Sequence, residues 1–351
     1  MQSLERGKAR PGSYDLSSIC PMSIGQRIEA EVVAGTAFSA LLGLSAACRA
    51  PRDELPAALA GTLEDVGDNE GESWLNLLGV ALEVGSPYGV EELLEALRTM
   101  DGVDLRRHLL GRFAWSWCTL AGTEDLEAAA AGDRAAARRL LDHPRYYAGH
   151  AATSLKKLLP LDADETRARL VAAVEVVAVT ARGCADELSA AAATASAVLA
   201  VADPLAAVER LTSGYRYVPE VEAARVVLIP HLVPALPLVL AQHRSARLIA
   251  YLAEPDRSAE QQLTALGKAL ADPKRVEILA LIGRGVRRAG DLVESSGLTR
   301  STVHHHLTLL RAAGLVALEG NARAYTYVAR LDAPAEAAEL VAVVVGQKGN
   351  Q

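Results

Sequence analysis

From Thr299 the sequence reads TRSTVHHHLTLLRAAG, with hydroxyls, imidazoles and guanidinium groups interleaved among aliphatic residues. Val303, Leu307 and Leu310 recur at i, i+4 and i+7, the spacing of a helix with one buried stripe. At 3.6 residues per turn, Ser301, His305 and Thr308 then point the opposite way. Arg300, His304 and Arg311 flank that outward face, and Thr302 belongs to the same candidate set. The face is short, polar and cationic, which suits hydrogen bonding to base edges and phosphates in a DNA major groove. A helix starting after Thr299 also offers amide donors and a positive dipole end to phosphate. Arg323 is positioned to reach backbone or minor groove, and Lys274, Arg275, Arg287 and Arg288 to hold flanking phosphates.

These side chains need a scaffold, and local signals supply one. Leu263, Leu266 and Leu270 share a helical face. Asp272 before Pro273 reads as an N-cap with proline at the first helical position. Val276, Leu279 and Ile282 make the next stripe, ended by Gly283 and Gly285. Ala289–Ser296 is a short helix stopped by Gly297. Thr299 caps a helix running to about Ala313, stopped by Gly314. Two strand-like runs follow, Leu315–Glu319 and Ala324–Ala329, joined by Gly320-Asn321-Ala322-Arg323. Helix, helix, helix–turn–helix and hairpin is the order of a winged helix–turn–helix.

The stretches LADPKRVEIL and SGLTRSTVHHHLTLLRAAGLV, with the hairpin after them, closely resemble ArsR/SmtB-type winged-helix transcriptional regulators. The resemblance covers roughly Ser258–Gly346, a quarter of the chain. It implies that 299–313 is the recognition helix, that 315–329 is the wing, and that the protein is a homodimer paired through the first and last helices of the module. Ala337, Leu340, Val341 and Val344 form an apolar stripe suited to that pairing, with the Asp332 region as its cap. By family habit the regulator is a repressor on an inverted-repeat operator. The family's metal-sensing members carry a Cys pair in the helix matching Ala289–Ser296, or Asp and His ligands on the last helix. AGDLVESS has neither Cys nor His, and the last helix offers only Asp332, Glu336 and Glu339. Carboxylates alone replace thiolate and imidazole poorly. The expectation is therefore no metal and no cofactor, with an unidentified small molecule as the candidate effector. The upstream region loosely resembles that of longer family members, which place an uncharacterised domain ahead of the winged helix.

His304-His305-His306 does not make a metal site, because consecutive helical residues diverge by about 100°. His305 faces outward, and His306 reads as a structural residue satisfied by a hydrogen bond.

Charge is divided along the chain. Between Glu260 and Leu331 ten Lys/Arg stand against six Asp/Glu, a net +4 in a chain whose total is −7, so the remainder carries −11. That pattern suggests an acidic body bearing a basic module. With 351 residues, half of them hydrophobic and rich in Ala and Leu, the expected fold is mainly α with minor β. Residues 1–25 read as a flexible tail, and 26–253 as an N-terminal domain with an effector or dimerisation role. That domain is helical to about 213, then a small antiparallel β element with runs Arg225–Ile229, Leu236–Leu240 and Ala246–Leu252. Prolines 230, 234 and 237 demote the middle run to an edge strand. Expected helices include Glu91–Met100, Leu105–Leu110, Asp125–Leu141, Asp164–Val179 and Asp186–Ala200. Glu254-Pro255-Asp256 reads as a linker to the winged helix at 258–346.

Cysteines 20, 48, 118 and 184 form neither a CxxC pair nor a disulfide framework, which fits a reducing cytoplasm. The apolar stretch 168–202 is interrupted by Glu175, Arg182, Asp186 and Glu187, arguing for buried helices rather than a membrane span. No GxSxG, P-loop or HExxH motif is present, and Gly183-Cys184 has no nearby His to activate it. No enzyme is expected. Tyr146, Tyr147, His150 and His108, with Trp115 and Trp117, are candidates to line a ligand pocket, and His231 and His243 are loop candidates. The alternative reading is a ligand-binding or enzymatic N-terminal domain whose winged helix serves protein contacts. The cationic outward face disfavours it, being a poor choice for a dry interface.

Overall fold

A computed structural model describes residues 28–66, 71–114, 123–143, 146, 153–253, 258–321 and 324–348. The chain opens with β1 (Glu29–Val32) and then a series of helices. These are α1 (Thr36–Ala47), α2 (Ala57–Val66), α3 (Glu72–Asn76), α4 (Leu78–Glu83), α5 (Val90–Thr99) and α6 (Gly102–Leu109). They continue with α7 (Thr123–Ala130), α8 (Arg134–Asp142), α9 (Thr153–Leu158), α10 (Ala163–Gly183), α11 (Ala185–Val201) and α12 (Pro204–Leu211). Strands β2 (Tyr215–Tyr217), β3 (Arg225–His231), β4 (Leu238–His243) and β5 (Ala246–Leu252) come next. The C-terminal module is α13 (Ala259–Leu270), α14 (Pro273–Gly283), α15 (Ala289–Ser296), α16 (Arg300–Ala312), β6 (Val316–Gly320), β7 (Tyr325–Ala329) and α17 (Ala333–Lys348). The protein is mainly α with minor β and ends in a winged helix–turn–helix.

Helix boundaries follow their caps. Asp162 accepts the Glu165 amide at the start of α10, as expected. The single helix expected over Asp125–Leu141 is instead two, α7 and α8. Gly132 adopts φ +100°, and Asp133 then accepts the Ala135 and Ala136 amides to start a new helix. Of the apolar stretch read as buried helices, α10 buries a full stripe, but α11 buries only Leu188 and Ala195. Alanine sustains a helix without needing a core, so an Ala-rich helix tolerates this exposure. Among the described residues no helix is long and apolar enough to cross a membrane.

Of the three runs expected to form an antiparallel element, only β4 and β5 pair that way, with β4 at a sheet edge; β3 lies parallel to β5, because a long connection through β4 intervenes between them. The sheet extends beyond this pair in the order β1-β3-β5-β4, and β1–β3 and β3–β5 pair in parallel. β1 went unforeseen because EAEV is short and half charged. Pro230 is tolerated within β3 because the β1 ladder ends opposite Leu228.

Side chains alternate across this sheet, and both faces are buried. Val227, Ile229, Leu248 and Ala250 join the N-terminal helical core. Val226, Leu228, Ile249 and Tyr251 join a second cluster that includes Ile278, Leu292, Val303, Leu307 and Leu310 of the winged helix. The core therefore runs across the boundary read at 254–257. A second sheet, in the order β2-β6-β7, adds a strand from the N-terminal part to the wing.

Candidate nucleic-acid interface

α16 is positioned by its apolar stripe. Val303, Leu307 and Leu310 are buried where the spacing puts them, with His306 beside them, and the helix packs on α14 and α15. Thr299 accepts the Thr302 amide at 3.2 Å, and Gly297 takes the left-handed turn that separates α15 from α16. His306 does not find the hydrogen bond expected of it. Its Nδ1 is buried and lies 3.9 Å from Asp272 Oδ2, too far for one.

The opposite face is open. Arg300, Ser301, His304, His305 and Thr308 are exposed, and Thr302 is half-buried. Some of their hydrogen-bonding capacity is already assigned. Thr308 donates to the His304 carbonyl at 3.0 Å, leaving acceptor lone pairs for a ligand. The Thr299 hydroxyl sits 3.0 Å from Ser301 Oγ and 2.8 Å from Thr302 Oγ1, which orients both side chains around the helix start.

Three expected contact residues have different surroundings. Arg311 does not lie on the open face; it is half-buried, and burial lowers its guanidinium pKa against the opposing influence of Tyr327. Arg275 donates to the Ala269 and Lys268 carbonyls at 2.8 and 2.7 Å and pairs with Asp272 at 3.3 Å. It caps the end of α13 rather than presenting a charge to solvent. Lys274 is exposed and paired with Glu277 at 2.8 Å. Arg323 lies outside the described residues.

Sequence reasoning missed Tyr325, an aromatic 50% exposed on the wing. It lines a groove of about 340 Å³ with Arg287, Arg288, Asp291, Glu319 and Thr326. The groove forms because the Arg287 carbonyl accepts the Tyr327 amide at 2.8 Å, drawing the α14–α15 turn beside β7. Alternation in AYTYV puts Tyr325 and Tyr327 on the same face of β7, so the sequence held no signal that the first is exposed and the second buried.

On α17, Ala337, Leu340 and Val344 are half-buried and the helix packs on α13, while Val341 is 48% and Val345 66% exposed. The Asp332 carbonyl accepts the Glu336 amide at 3.1 Å. Its carboxylate and that of Glu336 both bind Arg330, at 2.9 and 2.5 Å. Among the described residues no cluster of His, Cys, Asp and Glu suits a metal ion.

Of the N-terminal pocket candidates, Trp115, Trp117, Tyr147 and His150 lie outside the described residues. Tyr146 is buried, its hydroxyl donating to the Leu110 carbonyl. His231 and His243 are not loop residues; each ends a buried strand. His243 and Arg244 bind Glu83 at 2.9 Å, and His108 lies 3.6 Å from it. Burial would raise the Glu83 pKa, but the bonds from His243 and Arg244 hold it low.

A helix–turn–helix over a shared core, its second helix open and polar on one face and followed by a β-hairpin, marks the class: a winged helix–turn–helix, DNA-binding transcriptional regulator. The family model for bacterial regulatory proteins of the arsR family matches residues 272–317. The HTH-type transcriptional regulator CmtR of Mycobacterium tuberculosis is 42% identical over 93 residues, 26% of this chain and 79% of the relative. The CmtR of Mycobacterium bovis matches to the same extent. The HTH-type transcriptional regulator NmtR of Mycobacterium tuberculosis is 36% identical over 72 residues, 20% of this chain and 60% of the relative. The chain belongs to the ArsR family of bacterial regulatory proteins. No solved structure matches it significantly.

Proposed function

We propose that the protein is a cytoplasmic homodimeric repressor that binds an inverted-repeat operator through residues 258–348. The observation that carries this reading is the exposed set Arg300, Ser301, His304, His305 and Thr308 on one face of α16. Arg300 and His305 contact base edges directly, Ser301, Thr302, His304 and Thr308 complete the surface, and Arg323 and Tyr325 act from the wing. Lys274, Arg287 and Arg288 hold flanking phosphates. Arg275 and Arg311 serve the fold instead, for the reasons given by their contacts. The exposed valines of α17 meet a second copy. The N-terminal part, residues 28–253, receives an effector and passes its binding on as a change in dimer geometry.

The test is the pair Arg300→Ala and His305→Ala in one chain. Because both side chains are exposed, the variant should keep its thermal melting point and its dimeric mass. It should lose operator preference by about 2–6 kcal/mol, two contacts at roughly 1–3 kcal/mol each. Undiminished preference would refute the assignment of α16.

A further inference from the structure

We propose that β2 is a tether by which the N-terminal part positions the wing, with Tyr215, Tyr217, Glu220 and Arg247 as positioning residues. The proposal rests on the reading of the wing as part of the DNA surface. Alone, β6 and β7 would be a two-stranded hairpin, a unit of marginal order in water. Here β6 gains a second neighbour from outside the winged helix. The Leu318 amide donates to the Gly214 carbonyl at 2.7 Å, and the Val218 amide to the Gly320 carbonyl at 2.8 Å. The buried Tyr215 hydroxyl also donates to the Gly320 carbonyl, at 3.0 Å. Two donors from one short segment thus converge on the residue where the wing turns.

The other end of the tether is fixed in the central sheet. The Tyr217 hydroxyl donates to Glu220 Oε1 at 3.3 Å. Arg247 of β5 donates through Nε to the same oxygen at 2.6 Å, and also to the Ala241 carbonyl and to Gln242 Oε1 of β4. Arg247 is 1% and Glu220 5% exposed. Charges so deeply buried gain little net stability over apolar packing, but their bonds are directional. They hold β4, β5 and the end of β2 in one arrangement, and the β2 ladder carries that arrangement to the wing. A displacement of the β4–β5 hairpin, or of α12 packed on β2, is therefore carried to the wing through β2.

The experiment uses the full-length chain with Tyr215→Phe, which keeps the ring and removes the hydroxyl, and Glu220→Gln as a second variant. Amide hydrogen exchange reads the wing, and a footprint on the selected operator reads its use. We expect wing amides in 316–320 of Tyr215→Phe to exchange about three- to tenfold faster, the worth of one hydrogen bond. Exchange in α10 and α16 stays as in the wild type, and protection weakens at the flanks but not at the half-site centres. Unchanged wing exchange, or equal acceleration in α16, overturns the tether even if Glu220→Gln fails to fold. Faster wing exchange in a protein whose wild type protects no operator leaves the tether standing and overturns the DNA reading instead.

Discussion

At the residue scale, arginines of similar appearance in the sequence divide into two kinds. Arg300 is open to solvent at the start of α16, whereas Arg275 is bonded to two carbonyls at the end of α13. Substituting each to Ala should separate them. Arg275→Ala is expected to lower stability by about 1–2 kcal/mol through its lost hydrogen bonds, with operator affinity per folded protein unchanged. Arg300→Ala should do the reverse, and chemical denaturation with binding titrations on both variants reads the contrast. Arg247→Met is the more severe case. It leaves the Glu220 carboxylate buried without its cation, and should cost about 3–5 kcal/mol in urea denaturation. None of these distinctions was legible in the sequence, because charge type and spacing do not say which carbonyls a long side chain will meet. The outward set on α16 was legible, since a three-residue aliphatic stripe fixes the phase of a helix and therefore its opposite face.

At the element scale, helix ends were the most readable feature. Asp272-Pro273, Thr299 and Gly297 act locally, and each has the role its type implies. The break at Gly132 was less clear, since alanines on both sides favour one continuous helix until the glycine's φ is known. Strands β1 and β2 were not legible at all. Each has only three or four residues, and each exists because a distant partner pairs with it in parallel. The wing turn yields a sharp expectation. Gly320 has φ +148°, and a Cβ there would overlap the Ala324 carbonyl oxygen. Gly320→Ala should therefore distort the tip, costing at least about 1 kcal/mol of stability, and should weaken operator binding while half-site preference stays. Normal affinity in that variant would argue against a wing contact.

At the scale of the whole molecule, the winged helix and the N-terminal part share a core. Tyr215, Tyr217, Val208 and Tyr251 lie in one cluster with Val303, Leu307 and Leu310. Residues 258–348 expressed alone would expose that shared surface, and are expected to aggregate or melt well below the full chain in a thermal scan. Acid sensitivity also belongs to the whole. Burial lowers the His108 and His231 pKa values to about 4, and burial lowers His243 as well. In the unfolded chain these groups titrate near 6.5. The unfolded state therefore takes up protons first, and stability present above pH 6.5 is lost as pH falls toward 4. The slope is about 1.4 kcal/mol per pH unit for each of His108 and His231. Denaturation midpoints between pH 7.5 and 5 should show it, and His231→Asn should reduce it.

The most direct measurement is a selection from random double-stranded oligonucleotides with the purified full chain at physiological salt. A dimer carrying two copies of α16 should enrich an inverted repeat with half-site centres about one helical turn, roughly 34 Å, apart. Its affinity should fall steeply with added salt as phosphate contacts release counterions. A folded protein that enriches no sequence, or binds without salt dependence, would contradict the account and return attention to the N-terminal part as the seat of function.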